Sequence, residues 1–280
     1  MARKKESKPE QPKEQEKVVE PVIEKTLELA IVPDAKPQEE EIGISKRQIA
    51  SIEAWMPKTE LGRRVKSGEI KDISEILDRG QRILEPEIVD KLLPNLQSDL
   101  VKIGQSKGKF GGGKRSIWRQ TQKKTKEGNK PKFSALAIVG NKDGIVGVGY
   151  GKAKETVPAR EKAIRNAKLN IIKIARGCGS WECGCKEQHS IPYKLSGKNG
   201  SVIINLVPAA KGTGLKVEKE CQKLLDFTGI KDIYSKSYGQ KRVKINMIKS
   251  CFKALKSSTT VKILSGYDKL SGLSEEPIKK

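Results

Sequence analysis

The sequence predicts an α+β fold, and three observations support that prediction. Apolar side chains make up 35% of the 280 residues and aromatic side chains only 4%, which suits two small domains with modest cores better than one large domain. Two hairpin patterns occur, around residues 141–144 and 197–200, and amphipathic helical patterns follow each of them. Apolar periodicity begins only after Ile44, so we expect the ordered part of the chain to begin there.

The predicted organisation has six successive parts, with polar segments at both ends. The N-terminal part mixes Lys, Glu, Pro and Gln, a composition typical of disorder. In order, we expect a disordered tail (1–43), a helical N-terminal extension (44–106), a first β-containing domain that begins with a basic loop (107–177), a cysteine-rich segment (178–189), a second domain (190–264) and a C-terminal tail (265–280).

Short helices are predicted in the N-terminal extension. Pro57 precedes the first helix and Gly68 follows it, while Ser74 is expected to cap the second and Gly80 to end it. A third helix lies between the prolines of LEPEIVDKLLP. Helices this short are marginal in water on their own, so we expect them to pack against a larger unit.

The charge of the chain predicts a polyanionic partner. The sequence has 57 Lys and Arg residues against 34 Asp and Glu, a net charge of +23. Residues 1–45 carry 8 basic and 11 acidic side chains, a net charge of −3, so the remainder carries +26. A surplus of this size attracts nucleic acid. The sequence has no apolar run of about 18 residues and no apolar secretory segment, which favours a cytoplasmic protein without a membrane span.

The basic loop is the main candidate for RNA binding. Residues 107–132 contain ten Lys or Arg and one acidic residue, with three consecutive glycines and no apolar period, so we predict a loop. A solvated linker is one interpretation. An arm inside RNA, with Phe110 and Trp118 stacking on bases, is favoured because like charges at this density repel one another without a polyanion. The candidate phosphate-binding residues, in the loop and just after it, are Lys107, Lys109, Lys114, Arg115, Arg119, Lys123, Lys124, Lys152, Lys154 and Arg160.

Glycines recur at every second position in the second strand of the first hairpin, so one face of that strand has no side chains. The helix predicted to follow carries alanines at helical spacing, a stripe that Ile171 and Ile174 continue. We expect this stripe to pack directly on the glycines. The glycines are Gly147, Gly149 and Gly151, and the alanines are Ala159, Ala163 and Ala167.

The second domain is predicted to contain a hairpin around GKNG and two helices, within residues 214–229 and 245–257. Val217 and Cys221 fall on the apolar face of the first helix, and Cys251 falls on that of the second. We interpret the two cysteines as buried structural thiols.

No catalytic motif can be assembled from this sequence. The glycine runs lack the order of a phosphate-binding loop or a dinucleotide-binding fingerprint. The single histidine lies among cysteines, without the adjacent glutamate of a zinc deaminase. We therefore predict a protein that is not an enzyme and has no small-molecule substrate.

The stretch CGSWECGCKEQHS is the candidate metal site. It gives Cys178-x4-Cys183-x-Cys185-x3-His189, and four such ligands close together match a closed tetrahedral zinc site. Against zinc, Cys183 and Cys185 would point to opposite sides of an extended strand unless Gly184 turns. Structural zinc is favoured over buried or reactive thiols, and a Cys178–Cys185 disulfide is the third alternative.

Several of these stretches together resemble the universal small-subunit ribosomal protein five family. KFSALAIVGNKDGIVGVGYGKAKETVPAREKAIRNAKLNII resembles the first core of the family, and HSIPYKLSGKNGSVIINLVPAAKGTG its second domain, over a match of roughly residues 49–263. The WMPKTELGRRVKSG segment and the cysteine insert resemble the archaeal and eukaryotic members rather than the bacterial ones, and the cysteines resemble the archaeal members in particular.

The resemblance implies a first domain with a double-stranded-RNA-binding-like hairpin and helix, then a ribosomal protein five domain-two-like α/β domain. It also implies a structural constituent of the small ribosomal subunit, bound to its RNA near the mRNA entrance and the decoding region. The neighbours would be ribosomal proteins four and eight, and the function would include support of translational accuracy. Two alternatives remain: an extra-ribosomal dsRNA-binding chaperone and a zinc-dependent RNA-modifying enzyme.

Overall fold

A computed structural model describes residues 54–106 and 115–259. The predicted tails at 1–43 and 265–280, and the start of the basic loop with Lys107, Lys109, Phe110 and Lys114, lie outside these residues. The helices and strands are α1 Glu60–Ser67, α2 Ile73–Asp78, α3 Pro86–Leu92, β1 Gln97–Leu100, β2 Arg119–Thr125, β3 Gly128–Gly140, β4 Ile145–Ala153, α4 Thr156–Leu169, β5 Ile171–Lys173, β6 Leu195–Asn199, β7 Val202–Pro208, β8 Leu215–Lys216, α5 Lys219–Thr228, β9 Ile233–Tyr238 and α6 Lys244–Ser257.

The first sheet is antiparallel, with strand order β1-β3-β4-β5, and β2 pairs with the first half of β3. The prediction of a loop throughout residues 107–132 is therefore wrong from Arg119 onward. Residues 119–132 form a two-stranded ribbon whose turn is followed by Gly128 at a φ of 112°. Apart from Pro131 and the half-buried Thr125, its side chains are polar and exposed, so no apolar alternation indicated strands. Backbone pairing with β3, whose second half is buried, provides the order instead.

The predicted contact between glycines and alanines is confirmed. A Cβ at Gly149 would overlap the backbone of Ala163 and Ala167 in α4, and one at Gly151 would overlap the backbone of Ala159 and Ala163. Helix α4 can approach the sheet this closely because neither surface has a long side chain.

Helix α4 ends earlier than predicted, so the continuation of its stripe to Ile171 and Ile174 is wrong. The helix stops at Leu169, and Ile171 begins strand β5. Asn170 leaves the helical conformation, and its side-chain amide donates to the backbone oxygen of Val148 in β4. The two isoleucines are buried all the same, as part of the sheet region rather than of the helix.

The second half of strand β3 is buried on both faces. Ala135, Ala137 and Val139 pack in one cluster with α4 and the N-terminal helices, whereas Leu136 and Ile138 pack in a second cluster with α5 and α6. The second cluster also contains the inner face of the second sheet. The two halves of the chain therefore share a core, and the described residues belong to one compact unit.

The N-terminal helices pack on α4 and β3, as expected for helices too short to be stable alone. Thr59 caps α1 by accepting from the backbone N–H of Gly62, and Gly68 ends the helix at a φ of 86°. The prediction of Ser74 as the cap of α2 is wrong, because the helix begins at Ile73, whose side chain is buried, and Asp72 precedes it.

The second sheet has strand order β6-β7-β9-β8, with β8 parallel to β9 and the other pairs antiparallel. Its first turn lies after Asn199, slightly beyond the centre predicted from GKNG. Val217 precedes α5 instead of lying on it, because Glu218 caps a helix that begins at Lys219. Cys221 and Cys251 are fully buried, which confirms their interpretation as core thiols.

Two backbone hydrogen bonds join the halves at the first hairpin turn. The N–H groups of Lys142 and Gly144 donate to the carbonyl oxygens of Phe227 and Thr228, at 3.0 Å each. Gly229 follows at a φ of 80°, where a side chain would collide with the backbone of Lys142. The turn thus packs tightly against the C-terminal end of α5.

Candidate metal centre and nucleic-acid interface

Three sulfur atoms and one imidazole nitrogen converge in the loop between β5 and β6. The Sγ atom of Cys185 lies 3.3 Å from that of Cys183 and 3.6 Å from that of Cys178, and the Nε2 atom of His189 lies 3.8 Å from the Cys183 sulfur. All four ligand atoms lie within 4.8 Å of one another. A tetrahedron with Zn–S bonds of about 2.3 Å has edges of about 3.8 Å, so this set matches the size of a zinc site.

The local backbone explains how cysteines two positions apart face one centre. The loop closes at an antiparallel bridge between Gly177 and Ser190. A turn in which the N–H of Cys183 donates to the oxygen of Ser180 reverses the chain. Lys186 then takes a φ of 54°. The segment is therefore not an extended strand, and the objection that Cys183 and Cys185 would diverge does not apply.

The buried carboxylate of Asp232 contacts the His189 ring at the nitrogen that faces away from the sulfur atoms. The Nδ1 atom of His189 lies 2.9 Å from Oδ2 of Asp232, and both side chains are 5% exposed. The other carboxylate oxygen accepts from the backbone N–H of Gly214 at 2.8 Å. When Nδ1 carries the proton, Nε2 presents its lone pair to the sulfur atoms, the arrangement common for metal-binding histidines.

The environments of the thiols differ within the cluster. Burial, followed by the adjacent sulfurs of Cys185 and Cys183, raises the pKa of the Cys178 thiol to about 11. Backbone N–H groups of Cys185 and Lys211 lower the pKa of Cys183 to about 6. Neighbouring thiolates repel one another, so a cation at the centre is what allows all three to ionise together.

Five cations of the ribbon and β4 project from one face of the first sheet. Arg119 is paired with Ser134, which is paired in turn with Lys152, and Lys123 is paired with Lys130. Directly paired residues share a face, and alternate residues along a strand share it too. The exposed cations of this face, here called the cationic ribbon face, are Arg119, Lys123, Lys130, Lys132 and Lys152.

The other predicted RNA-binding residues have different positions. Lys124 lies on the opposite face of the ribbon. Lys154 follows β4 and Arg160 lies early in α4, and both are exposed. Arg115 is partly buried, and its guanidinium donates to the backbone oxygen of Arg242 at 3.3 Å. Trp118 packs against the core cluster that contains the N-terminal helices, which corrects the expectation that it is free to stack.

Several cations that the sequence pattern does not single out lie on the same side of the sheet. Lys130 and Lys132 belong to the predicted basic loop without being among its candidate residues. Their alternation with Ser134 and Leu136 is the signal that identifies them once the ribbon is recognised. Three lysines of α6 lie around the same groove as Tyr150 of β4. Only the folding of the chain brings them there, so no local sequence pattern identifies them. They are Lys249, Lys253 and Lys256.

Two mainly antiparallel sheets packed with helices, together with an exposed cationic ribbon, are what we expect of a structural RNA-binding protein. Two protein-family models match the chain. A family model described as ribosomal protein S5, N-terminal domain, matches residues 117–175, and one described as ribosomal protein S5, C-terminal domain, matches residues 197–266.

Curated relatives named small ribosomal subunit protein uS5 match over most of the chain. The protein of Nanoarchaeum equitans is 50% identical over 230 residues, which cover 82% of this chain and 99% of the relative. That of Methanocaldococcus jannaschii is 44% identical over 225 residues, 80% of this chain and 97% of the relative. That of Thermofilum pendens is 45% identical over 204 residues, 73% and 94% respectively.

The chain belongs to the ribosomal protein S5 family, and its similarity is to archaeal members. It is a structural component of the small ribosomal subunit in the cytoplasm, not an enzyme, and it binds ribosomal RNA as part of that particle. The predictions of the family, of a structural role in the small ribosomal subunit and of a protein that is not an enzyme are thereby confirmed. Among the described residues, no helix has both the length and the apolar character needed to cross a bilayer.

Proposed function

We propose that the cationic ribbon face, together with Lys124, Lys154 and Arg160, binds phosphates of small-subunit ribosomal RNA. The family resemblance supports a position near the mRNA entrance and the decoding region, beside ribosomal proteins four and eight, with an influence on translational accuracy. Antiparallel strands with α4 packed on one face also resemble a double-stranded-RNA-binding fold. Lys107, Lys109 and Lys114 are assigned the same role from the sequence.

The main observation in support of the RNA interface is that Arg119, Ser134 and Lys152 are paired directly across three neighbouring strands, so their side chains lie on one face. Lys123 and Lys132 extend the same face along the ribbon. None of these four cations forms an ion pair with a described acidic side chain. Unpaired cations held at fixed positions on a pleated surface suit the regularly spaced phosphates of RNA.

The test replaces Arg119, Lys123 and Lys152 by alanine in the full chain. Affinity for small-subunit RNA is measured over a range of salt concentrations, beside a control in which the exposed Lys58, Lys71 and Lys194 are replaced. Loss of three phosphate contacts is expected to lower the salt slope by about 2 to 3 units. The same variants are then tested for incorporation into subunits and for misreading in translation. An unchanged slope would contradict this interface.

We also propose that the Cys178, Cys183, Cys185 and His189 cluster binds a structural zinc ion. All four ligand positions would be filled by the protein, which leaves no place for a reacting water. The ion would close the loop between β5 and β6, and zinc bound in this way contributes about 10–16 kcal/mol of apparent folding free energy in small domains.

Elemental analysis of the purified protein tests the zinc proposal, with about one equivalent of zinc expected. Cys178→Ser and His189→Ala should each lower the zinc content and the unfolding temperature, while Cys251→Ala, at a buried thiol outside the cluster, should lower only the unfolding temperature. Absence of zinc after purification and after titration with zinc would contradict the proposal. In that case the cluster would be one of free thiols.

A further inference from the structure

A groove lies between the first sheet and helix α6, outside both the ribbon and the metal cluster. Its volume is about 320 Å³, at the lower end of the range of about 300–1,000 Å³ for small-ligand sites. The buried side chains of Leu136, Val148 and Phe252 form its apolar floor, and the half-buried Tyr150 contributes an aromatic ring. The groove therefore accommodates one flat ring system better than a longer segment.

Three lysines of α6 surround the groove. Lys249, Lys253 and Lys256 follow one another at spacings of four and three, so they share one side of the helix. All three are exposed, and none forms an ion pair with an acidic group among the described residues. By contrast, Lys244 at the start of the helix is paired with Glu218. The groove thus combines an apolar interior with three uncompensated positive charges.

Two side chains in the groove suit a nucleobase. The ammonium of Lys249 lies over the Tyr150 ring, 5.8 Å from its centre, so it must move aside for a base to stack on that face of the ring. Asn170 uses one amide N–H to donate to the backbone oxygen of Val148, which leaves its other N–H and its oxygen for the edge of a base. Aromatic rings are common stacking partners of unstacked bases in RNA-binding proteins, and an asparagine amide can both donate to and accept from a base edge.

The groove is continuous with the cationic ribbon face. Tyr150 and Lys152 are alternate residues of β4, so their side chains lie on the same face of the sheet. Lys152 is in register with Arg119 through Ser134. An RNA strand that follows the ribbon face toward the centre of the molecule would therefore meet Lys152 first and the groove next.

We propose that this groove binds one unstacked nucleotide of single-stranded ribosomal RNA. The base lies beside Tyr150, and the phosphates on either side of it contact Lys249, Lys253 and Lys256. RNA is favoured over a protein partner because a nucleotide presents a flat apolar ring between anionic groups, which is the pattern of the groove. The inference rests on the RNA-binding role proposed above and adds a second, base-binding site to it.

The test uses the full chain and two probes, an oligouridylate and a duplex RNA of the same length. Lys249, Lys253 and Lys256 are replaced together by alanine. For the oligouridylate, loss of the contacts to the two phosphates beside the base should lower the salt slope by about 1.4 units, since single strands contribute about 0.7 per phosphate. For the duplex, the slope should stay at the wild-type value. The triple change of Lys58, Lys71 and Lys194 is the matched control.

A second pair of variants tests the aromatic contact. Tyr150→Leu should weaken oligouridylate binding about tenfold, because base stacking on an aromatic ring is lost, whereas Tyr150→Phe should bind within about twofold of wild type. Urea unfolding of each variant shows whether the shared core is intact. Equal binding by the leucine and phenylalanine variants would overturn the proposal.

The outcomes also separate this inference from the proposed function. If the ribbon variant loses salt slope and the α6 variant does not, the groove proposal fails and the ribbon interface stands. If neither variant changes the slope, both fail. If a chain lacking residues 260–280 binds oligouridylate more tightly than the full chain, the C-terminal segment competes for the groove, and the proposal of an RNA nucleotide as its occupant is overturned.

Discussion

Replacement of Asp232 by asparagine is expected to weaken zinc binding about 10- to 100-fold. The carboxylate accepts from Nδ1–H of His189 at 2.9 Å and from the N–H of Gly214 at 2.8 Å. An asparagine can keep the bond from Gly214 through its oxygen, but its NH₂ group then faces Nδ1. His189 would have to accept that bond, which places the proton on Nε2, the atom that faces the sulfurs.

The expected loss can be expressed as stability. A tenfold change in affinity corresponds to about 1.4 kcal/mol, so at a fixed zinc concentration well above the dissociation constant the free energy of unfolding should fall by about 1.4–2.7 kcal/mol. Asp78→Asn is the matched control, because its carboxylate forms an ion pair with Lys173 and is 60% exposed. Exposed pairs of this kind contribute about 0–1 kcal/mol.

Competition with a chromophoric zinc chelator measures the affinity, and the absorption spectrum of the cobalt-substituted protein reports the ligand set. The spectrum of Asp232→Asn should lose the contribution of the imidazole nitrogen, while that of Asp78→Asn should match wild type. An affinity for zinc within twofold of wild type in Asp232→Asn would refute the tautomer argument, even if the protein became less stable.

Three further predictions concern packing, thiol chemistry and capping. Gly149→Ala should lower the free energy of unfolding by about 3 kcal/mol in urea titrations, because α4 must move away from β4; a loss below about 1 kcal/mol would contradict the close approach. In metal-free protein, alkylation of Cys183 should accelerate as the pH rises through its pKa of about 6 and then level off. Cys178, whose pKa is about 11, should still be unreactive at pH 8. Peptide mass analysis measures the alkylation of each cysteine. Thr59→Ala should cost about 1 kcal/mol in the same urea titrations, and Thr59→Ser much less.

Features with local steric or chemical causes were predictable from the sequence. Glycines at alternate strand positions followed by alanines at helical spacing leave few arrangements other than a helix packed directly on a strand. The spacing of three cysteines and one histidine likewise predicts four metal-binding side chains around one centre. Both predictions needed only residues that are close in the sequence.

Features that depend on pairing between distant or polar segments were not predictable. The ribbon strands bury little, so their order comes from hydrogen bonds to β3 and leaves no periodic apolar signal. Asp232 lies 43 residues after His189, and only the position of β9 brings the two together. The same is true of the α6 lysines and Tyr150. The division of the chain into six parts stays a prediction, since the halves share a core rather than a visible boundary.

Strand β3 runs without a break from the exposed ribbon into the centre of the protein, and this continuity restricts changes in its length. A single residue inserted between Lys132 and Ala135 would leave the buried half of β3 in its present register. The small side chains of that half fit against α4 and its large ones against α5 and α6, so it cannot turn over. The insertion would turn every ribbon lysine before it to the other side. Natural insertions and deletions in the ribbon should therefore occur in pairs of residues, so that the positive charges keep their direction while the reach toward RNA changes.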